Sequence, residues 1–123
     1  MDFKTRKLIK PEDLNPRQTL FGGRLLQWID EELSIYTMSL LGTTNIVTKI
    51  MSEVNFVSSA TSGEIIEIGA EVVKYGRTSI TLQCSVRNMV TKKVLVTIDK
   101  VVFVSVDLQG SPQPHGKNIS ETV

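Results

Sequence analysis

The sequence predicts a single α+β domain in which an antiparallel β-sheet curves around one long helix. Two observations lead to this fold class. Hydrophobic residues recur at spacings of three and four between about residues 22 and 41, and from residue 45 onward the hydrophobic period changes to two. The first spacing is typical of an amphipathic helix and the second of strands buried on one face. Because one helix has to cover the sheet, the sheet must wrap around it.

The helix is predicted to run from Gly22 to Leu41, after a short first strand at about residues 3–9 and a proline-containing loop. A helix of this length spans about 30 Å. Gly42 follows the last helical residue, where a glycine commonly ends a helix. The apolar face consists of residues three or four positions apart: Leu26, Ile29, Leu33, Tyr36 and Leu40, widened by Leu25 and Trp28.

Four longer strands are predicted after the helix, with turns at residues 58–63, at Tyr75 and Gly76, and at residues 91–93. The last strand is apolar on both faces at residues 101–104, which indicates a central position in the sheet. We expect the short joints to be hairpins, so that neighbouring strands are antiparallel. A sheet wrapped around one helix in this way is the hotdog fold. Residues 1–110 are predicted to form this one domain, and residues 111–123 a flexible C-terminal tail.

The composition argues against several classes of protein. A net charge of +1 gives no electrostatic footprint for binding nucleic acid. Cys84 is the only cysteine, so disulfides and paired-cysteine metal sites within the chain are excluded, and its place on an apolar strand face predicts core packing. The chain contains no run of 18 apolar residues and no signal-peptide pattern, so we expect a cytoplasmic protein without a membrane span.

The helix start carries the residues with the clearest chemical potential. Gly22 and Gly23 open the helix and leave its backbone N–H groups accessible, where the helix dipole favours an oxygen atom that gains negative charge. Two turns further on, Asp30 lies beside the apolar face, and a partly buried carboxylate can act as a base. No Gly-x-Ser-x-Gly elbow is present, which argues against a serine hydrolase.

Three segments carry a family resemblance. They are Thr-Leu-Phe-Gly-Gly at 19–23 followed by Leu-Leu-Gln-Trp-Ile-Asp at 25–30, then Asn55-Phe56 leading to Gly63-Glu64, and finally the Gly-Arg-Thr-Ser turn at 76–79. In this order and spacing, the chain resembles the hotdog-fold bacterial acyl-CoA thioesterases related to mammalian cytosolic acyl-CoA hydrolases. It departs from that family at Gln18, where glycine is common, near Arg17, where histidine is frequent, at Glu31–Leu33, where small residues are usual, and at Ser59, where proline is common.

The resemblance implies hydrolysis of acyl-CoA to a free fatty acid and coenzyme A, without a metal or another cofactor. It implies sites at subunit interfaces, with a homodimer as the minimal unit and tetramers or hexamers as the assembled form. Asp30 lies about 10 Å along the helix from Gly23. Since this distance is wide for one carbonyl and its attacking water, we expect each active site to combine the glycines of one subunit with Asp30 of its partner.

The resemblance assigns catalytic roles along the helix and the loop before it. Asp30 would activate a water or act as a nucleophile. Glu31 and Glu32 are predicted to be solvated charges on the helix surface, and either is the rival acid if the helix phase differs. The N–H groups of Gly22 and Gly23 would form the oxyanion hole. Asn15 would turn the chain or hold the water. Thr19 would cap the helix or contact the substrate, and Phe21 would pack against the acyl chain or only against the helix start.

The turn at 76–79 is the predicted site for the phosphates of coenzyme A. Arg77 can bind phosphate through two parallel hydrogen bonds, Gly76 permits close approach of the backbone, and Thr78 and Ser79 offer hydroxyl groups. Two alternatives remain open from the sequence: a non-catalytic acyl-CoA-binding or sensing protein, and a hydratase on the same fold. A hydratase normally requires a histidine, and His115, in the predicted tail, is the only one.

Overall fold

The computed structural model describes residues 1–118, and over these residues one long helix packs against a sheet of five antiparallel strands. The helix begins and ends at the predicted residues, and Gly42 closes it in the left-handed conformation at φ 69°. In chain order the elements are β1 (Asp2–Leu8), a 3-10 turn (Pro11–Asp13), α1 (Gly22–Leu41), β2 (Ile46–Phe56), β3 (Ile65–Tyr75), β4 (Ser79–Asn88) and β5 (Val94–Ser105).

The strand order is β1-β3-β4-β5-β2, so one predicted joint is wrong. The joints from β3 to β4 and from β4 to β5 are hairpins, but β2 pairs with β5 and not with β3. The segment at 57–64 is therefore a crossover to the other side of the sheet. It passes below the helix start, where Ala60 is buried and its carbonyl accepts a hydrogen bond from the Leu20 N–H at 2.8 Å. A crossover and a hairpin turn both run over the protein surface. The Ser- and Gly-rich sequence of this segment is therefore typical of either one.

The core lies between α1 and the concave face of the sheet. The fully buried helix face is rotated from the predicted one, because Leu26, Tyr36 and Leu40 are only partly buried. Thr37 occupies the centre of that face with no exposed surface, and its polarity hides the position from a hydrophobicity pattern. The buried helix residues are Leu25, Trp28, Ile29, Leu33, Thr37 and Leu41. Cys84 packs in the same core, and burial raises the pKa of its thiol to about 12, so it remains an unreactive thiol.

β2 forms one edge of the sheet, and its alternation does not persist in the structure. Its register shifts between Thr48 and Ile50, and Glu53 has φ 57°. The hydrophobic residues of β2 that pack against the core are therefore Ile46, Met51 and Val54 rather than alternate positions. A bulge of this kind turns a side chain to a different face of the sheet.

The C-terminal segment folds back onto the domain as far as the structure describes it. Val106 forms an isolated bridge with Pro112, and the Gln113 N–H donates to the Ser105 carbonyl at 2.8 Å. The last part of the predicted flexible tail (111–123), residues 119–123, lies outside the described residues. Within residues 1–118, no helix is both long and apolar enough to cross a membrane.

The convex face of the sheet holds a buried carboxylate surrounded by cations. The Glu67 side chain is 3% exposed, and its Oε1 accepts hydrogen bonds from Arg87 Nε at 2.7 Å and Lys92 Nζ at 3.1 Å. Arg6 Nε lies 3.7 Å from the second carboxylate oxygen. The bonds from Arg87 and then from Lys92 hold the pKa of the Glu67 carboxyl below its ordinary value. Three cations thus tie β1, β4 and the turn after β4 to the first part of β3.

Glu67→Gln is expected to lower the free energy of unfolding at pH 7 by about 1–2 kcal/mol, because it removes charge-assisted hydrogen bonds. The pKa of Glu67 is lower in the folded than in the unfolded protein. Its stabilisation is therefore complete above the unfolded value and is lost as the pH falls through the folded value. Urea unfolding of the variant should show a flatter pH dependence between about pH 5 and pH 3.

Glu71→Gln is the matched control, since Glu71 lies on the same strand but is 48% exposed. It should leave both the stability at pH 7 and its pH dependence close to those of the unmodified chain. Equal pH dependence of Glu67→Gln and the unmodified chain would contradict the role given to Glu67.

Candidate active site

The N-terminus of α1 is open. Phe21 is the N-cap residue, and no side chain among the described residues caps the helix. The Leu25 N–H donates to the Phe21 carbonyl at 3.0 Å, which begins the helical hydrogen bonding. The preceding N–H groups belong to the first helical turn, where N–H groups have no hydrogen-bond acceptor within the helix. They are those of Gly22, Gly23 and Arg24. This end of the helix can therefore donate to an oxygen atom of a ligand.

An apolar cavity of about 250 Å³ lies beside this open helix end. Its lining is Leu20, Gly22, Leu25, Phe56, Val57, Ser58, Ser59, Ala60 and Leu95. The crossover after β2 therefore forms one wall, and the first turn of α1 forms another. The volume is below the range of about 300–1,000 Å³ that is usual for small-molecule sites. The cavity of one protomer can thus enclose only part of a large ligand.

Within one protomer, there is space for a side chain at both Gly22 and Gly23. A Cβ at Gly22 would lie 3.5 Å from the Phe56 ring, and a Cβ at Gly23 would lie 3.6 Å from the Phe21 ring. Both distances are ordinary van der Waals contacts. The fold itself therefore does not require glycine at either position. Phe21 is 53% exposed at the edge of this opening, so its ring is accessible to a ligand.

The loop before the helix is closed by Asn15 and Thr19. Asn15 Oδ1 accepts hydrogen bonds from the N–H groups of Arg17 at 2.9 Å and Thr19 at 3.2 Å, while Asn15 Nδ2 lies 3.0 Å from Thr19 Oγ1. The prediction that Thr19 caps the helix is wrong, because the cap position is Phe21, two residues further on. Gln18 has φ 65° in this loop, a conformation that favours glycine and explains why glycine is suitable there.

An ion pair between the buried Asp13 and the partly exposed Arg24, which no motif in the sequence indicates, fixes the helix start. Asp13 is 4% exposed; its Oδ1 lies 3.3 Å from Arg24 Nε, and its Oδ2 accepts the Lys10 N–H at 2.9 Å. The Asp13 carbonyl also accepts the Phe21 N–H at 2.9 Å. Arg24 is a cation in the first helical turn, where the helix dipole disfavours it. Asp13 offsets that repulsion and holds the open turn in place.

Asp30 lies on the flank of α1 and is tied to the edge strand. Thr48 Oγ1 donates to Asp30 Oδ1 at 2.7 Å, so the carboxylate has a fixed orientation and keeps its second oxygen for another donor. Thr48 stands at the register shift of β2, and no motif in the sequence marked it. Of the rival acids, Glu31 is exposed, whereas Glu32 accepts from Thr5 Oγ1 at 3.0 Å and pairs with Lys7 at 3.3 Å.

The Gly76–Ser79 turn lies near the opposite end of α1. Ser79 begins β4 next to Ser105 at the end of β5, and a cavity at that end is lined by both Leu41 and Ser105. A Cβ at Gly76 would collide with the hydroxyl of Ser79, so a side chain there would require that hydroxyl to rotate away. Arg77 is exposed and pairs with no carboxylate in the described part of the chain.

One protomer does not bring all the predicted site residues together. Asn15, Thr19, Phe21, Gly22 and Gly23 cluster at the helix start, Asp30 lies midway along α1, and the turn at 76–79 lies beyond the other end. Among the described residues, no group of His, Cys, Asp and Glu is arranged to hold a metal ion.

Comparison with known proteins identifies relatives of this arrangement. A hexameric hotdog-fold thioesterase of Campylobacter jejuni is 31% identical with a TM-score of 0.77, over 90% of this chain and 87% of that chain. An acyl-CoA hydrolase from Staphylococcus aureus, in complex with butyryl coenzyme A, coenzyme A and coenzyme A disulfide, is 27% identical with a TM-score of 0.79, over 89% and 66%. A hexameric thioesterase from Yersinia pestis, 24% identical with a TM-score of 0.84 over 92% and 93%, shares the fold.

A search of curated protein sequences found no match. A family model described as the thioesterase superfamily matches residues 17–95, which is more than half of the chain. The matched segment contains the open helix start, Asp30 and the Gly76–Ser79 turn. The predicted hotdog fold is therefore confirmed, and the chain belongs to the thioesterase superfamily.

Proposed function

We propose that this protein hydrolyses acyl-CoA to a fatty acid and coenzyme A. The observation that carries the proposal is the open N-terminus of α1 in the wall of an apolar cavity. Such a helix end stabilises the oxyanion of a tetrahedral intermediate, and the cavity accepts an apolar acyl group. The Staphylococcus aureus relative is an acyl-CoA hydrolase, which supports the same substrate class. Acyl-CoA is made and used in the cytoplasm, so the proposal also places the protein there.

In the proposed mechanism, Asp30 takes a proton from a water molecule whose oxygen adds to the thioester carbonyl carbon. The carbonyl oxygen becomes an oxyanion and accepts hydrogen bonds from the N–H groups of Gly22 and Gly23. Collapse of the intermediate breaks the carbon–sulfur bond and releases the thiolate of coenzyme A, and Asp30 returns its proton to solvent or to the thiolate. Because a thiolate leaves readily, the reaction needs neither a strong general acid nor a metal or cofactor.

The proposed active site is shared between two protomers. Asp30 lies about 10 Å along α1 from Gly23, and its oriented carboxylate is at the edge strand β2. A second copy of the chain can cover this edge, because the hydrophobic side chains along and just beyond β2 are 40–61% exposed: Val47, Ile50, Phe56 and Val57. We propose a homodimer as the functional unit, assembled into hexamers like those of the Campylobacter jejuni and Yersinia pestis relatives.

Residue spacing in a relative supports the roles of Asn15 and Asp30, whereas the role of Thr48 rests on its hydrogen bond to Asp30. Alanine variants of the Staphylococcus aureus enzyme were made at an aspartate, at an asparagine fifteen residues before it, and at a threonine seventeen residues after it. In this chain Asn15 also lies fifteen residues before Asp30, and Thr48 lies eighteen residues after it. Thr48 orients the Asp30 carboxylate, while Asn15 shapes the loop and holds the water or the thioester through its remaining amide hydrogen.

The Gly76–Ser79 turn is proposed to bind the phosphates of coenzyme A. Arg77 is exposed and carries an unpaired guanidinium within the described residues, which suits a doubly hydrogen-bonded phosphate. Thr78 and Ser79, the next two residues in the chain, offer hydroxyl groups. The turn lies far from the open helix end of its own protomer. It can therefore belong to the proposed shared active site only in an assembly of protomers.

Asp30→Asn is expected to reduce kcat for acyl-CoA at least about a hundredfold, because an amide cannot accept the proton of the attacking water. Release of thiol from butyryl-CoA and longer acyl-CoAs measures the rate. Glu31→Gln, one residue away on the exposed side, is the control and should retain the rate of the unmodified enzyme. Tight acyl-CoA binding by the unmodified protein without turnover would instead indicate a binding protein.

Gly23→Ala is expected to separate activity from stability. Alanine favours a helix over glycine by up to about 1 kcal/mol, and the structure has space for its Cβ, so the free energy of unfolding should rise or stay constant. The same methyl group would obstruct the approach of the thioester carbonyl, and kcat should fall at least about tenfold. Full activity in this variant would remove the oxyanion role from the helix start. Gln27→Ala, one turn further along the exposed side, controls for the helix substitution.

A further inference from the structure

His115 fastens the C-terminal segment to the Gly76–Ser79 turn. Its backbone N–H donates to the Arg77 carbonyl at 3.3 Å, and its Nε2 lies 2.8 Å from the Ser79 carbonyl oxygen. Its ring also packs edge-on against Tyr75, with centroids 5.9 Å apart and an interplanar angle of 67°. One residue of the segment thus contacts the turn at two carbonyls and one aromatic ring.

The neighbouring hydrogen bonds fix the tautomer of His115. A carbonyl oxygen only accepts, so Nε2 must carry the hydrogen that bonds to Ser79. The Lys117 N–H donates to Nδ1 at 3.0 Å, so Nδ1 must carry the lone pair. Both nitrogen atoms of the ring are thus used to hold the segment against the turn.

A compact reversal of the chain delivers His115 to this position. Asp107 Oδ1 accepts the N–H groups of Gln109 and Ser111, both at 2.9 Å, and the Asp107 N–H donates to the Ser111 carbonyl at 2.9 Å. The Gln113 N–H then joins the Ser105 carbonyl at the end of β5. The chain between Ser105 and His115 is thereby ordered by its own hydrogen bonds and by the sheet.

The bonds from His115 complete the restraint of the turn's carbonyl groups. The Thr78 carbonyl accepts the Ser105 N–H at 2.8 Å, and the Ser79 carbonyl also accepts the Gly76 N–H at 2.9 Å. Together with His115, these donors engage the carbonyl oxygens of all three residues at 77–79. A turn that binds an anion must keep its carbonyl oxygens away from the anion, because their partial negative charge repels it.

We infer that His115 is a positioning residue for the nucleotide part of coenzyme A: it holds the Gly76–Ser79 turn in the conformation that presents Arg77 to the phosphates. The inference rests on the proposed function of that turn. The contacts of His115 are with the turn and its own segment, so we expect its effect to be confined to ligands that carry the nucleotide.

Two measurements on His115→Ala test the inference with independent readouts. Hydrogen exchange at the Gly76 amide, which bonds to the Ser79 carbonyl, should be about tenfold faster in the variant. Calorimetry should show that the affinity for coenzyme A falls about tenfold, which corresponds to the contribution of one hydrogen bond. His115→Gln retains an amide donor for the Ser79 carbonyl and should restore both values to within about threefold. Leu108→Ala, at an exposed residue of the same segment, is the control.

Kinetics separate a positioning role from a general structural one. For butyryl-CoA, His115→Ala should raise KM about tenfold with kcat within about twofold. For the butyryl thioester of N-acetylcysteamine, which lacks the nucleotide, both constants should match the unmodified enzyme. Equal losses on the two thioesters, or unchanged Gly76 exchange, overturn the inference. If the unmodified enzyme hydrolyses neither thioester, the proposed function fails, and the exchange and binding measurements still decide the role of His115.

Discussion

The burial of one face of α1 against the concave side of the sheet is the constraint on which the rest of the structure depends. The helix is long for so small a domain, and its buried residues span its whole length, from Leu25 to Leu41. Each buried leucine or isoleucine among them contributes on the order of 1.5–3 kcal/mol when it is removed from water. The strands must therefore extend along the entire helix and curve around it, which accounts for four strands of ten to twelve residues.

This constraint also determines where chemistry can occur. The inner face of α1 is covered by the sheet, so only its two ends and its outer sides are accessible. The N-terminal end is left without a cap and faces the cavity below the crossover, with Asp13 and Arg24 holding its first turn. Asp30 projects from the flank to the edge strand. The C-terminal end lies near the Gly76–Ser79 turn and the segment held by His115. Since a rigid helix keeps these places apart, we propose that a second protomer brings them into one site.

The sequence was sufficient for the parts that depend on local patterns. Both ends of α1 were predicted correctly. The helical pattern of hydrophobic residues is uninterrupted, and it begins after a glycine pair and ends at Gly42. Long-range choices were not accessible in the same way. Nothing local in the sequence distinguishes the joint after β2, a crossover, from a hairpin. A polar residue in the core, Thr37, conceals the true phase of the helix. The Asp13–Arg24 pair and the Thr48–Asp30 bond join residues eleven and eighteen positions apart, so neither is visible as a motif.

The central claim is that two protomers share each active site, and mixing two inactive variants tests it most directly. Gly23→Leu blocks the helix start of its own protomer, and Asp30→Asn removes the base of its own protomer. If each site takes its glycines from one subunit and its aspartate from the other, random co-assembly of equal amounts leaves about one quarter of the sites intact. Co-expression should therefore restore about a quarter of the thiol-release activity of the unmodified enzyme. Activity no higher than the mean of the two separate variants would contradict a shared site.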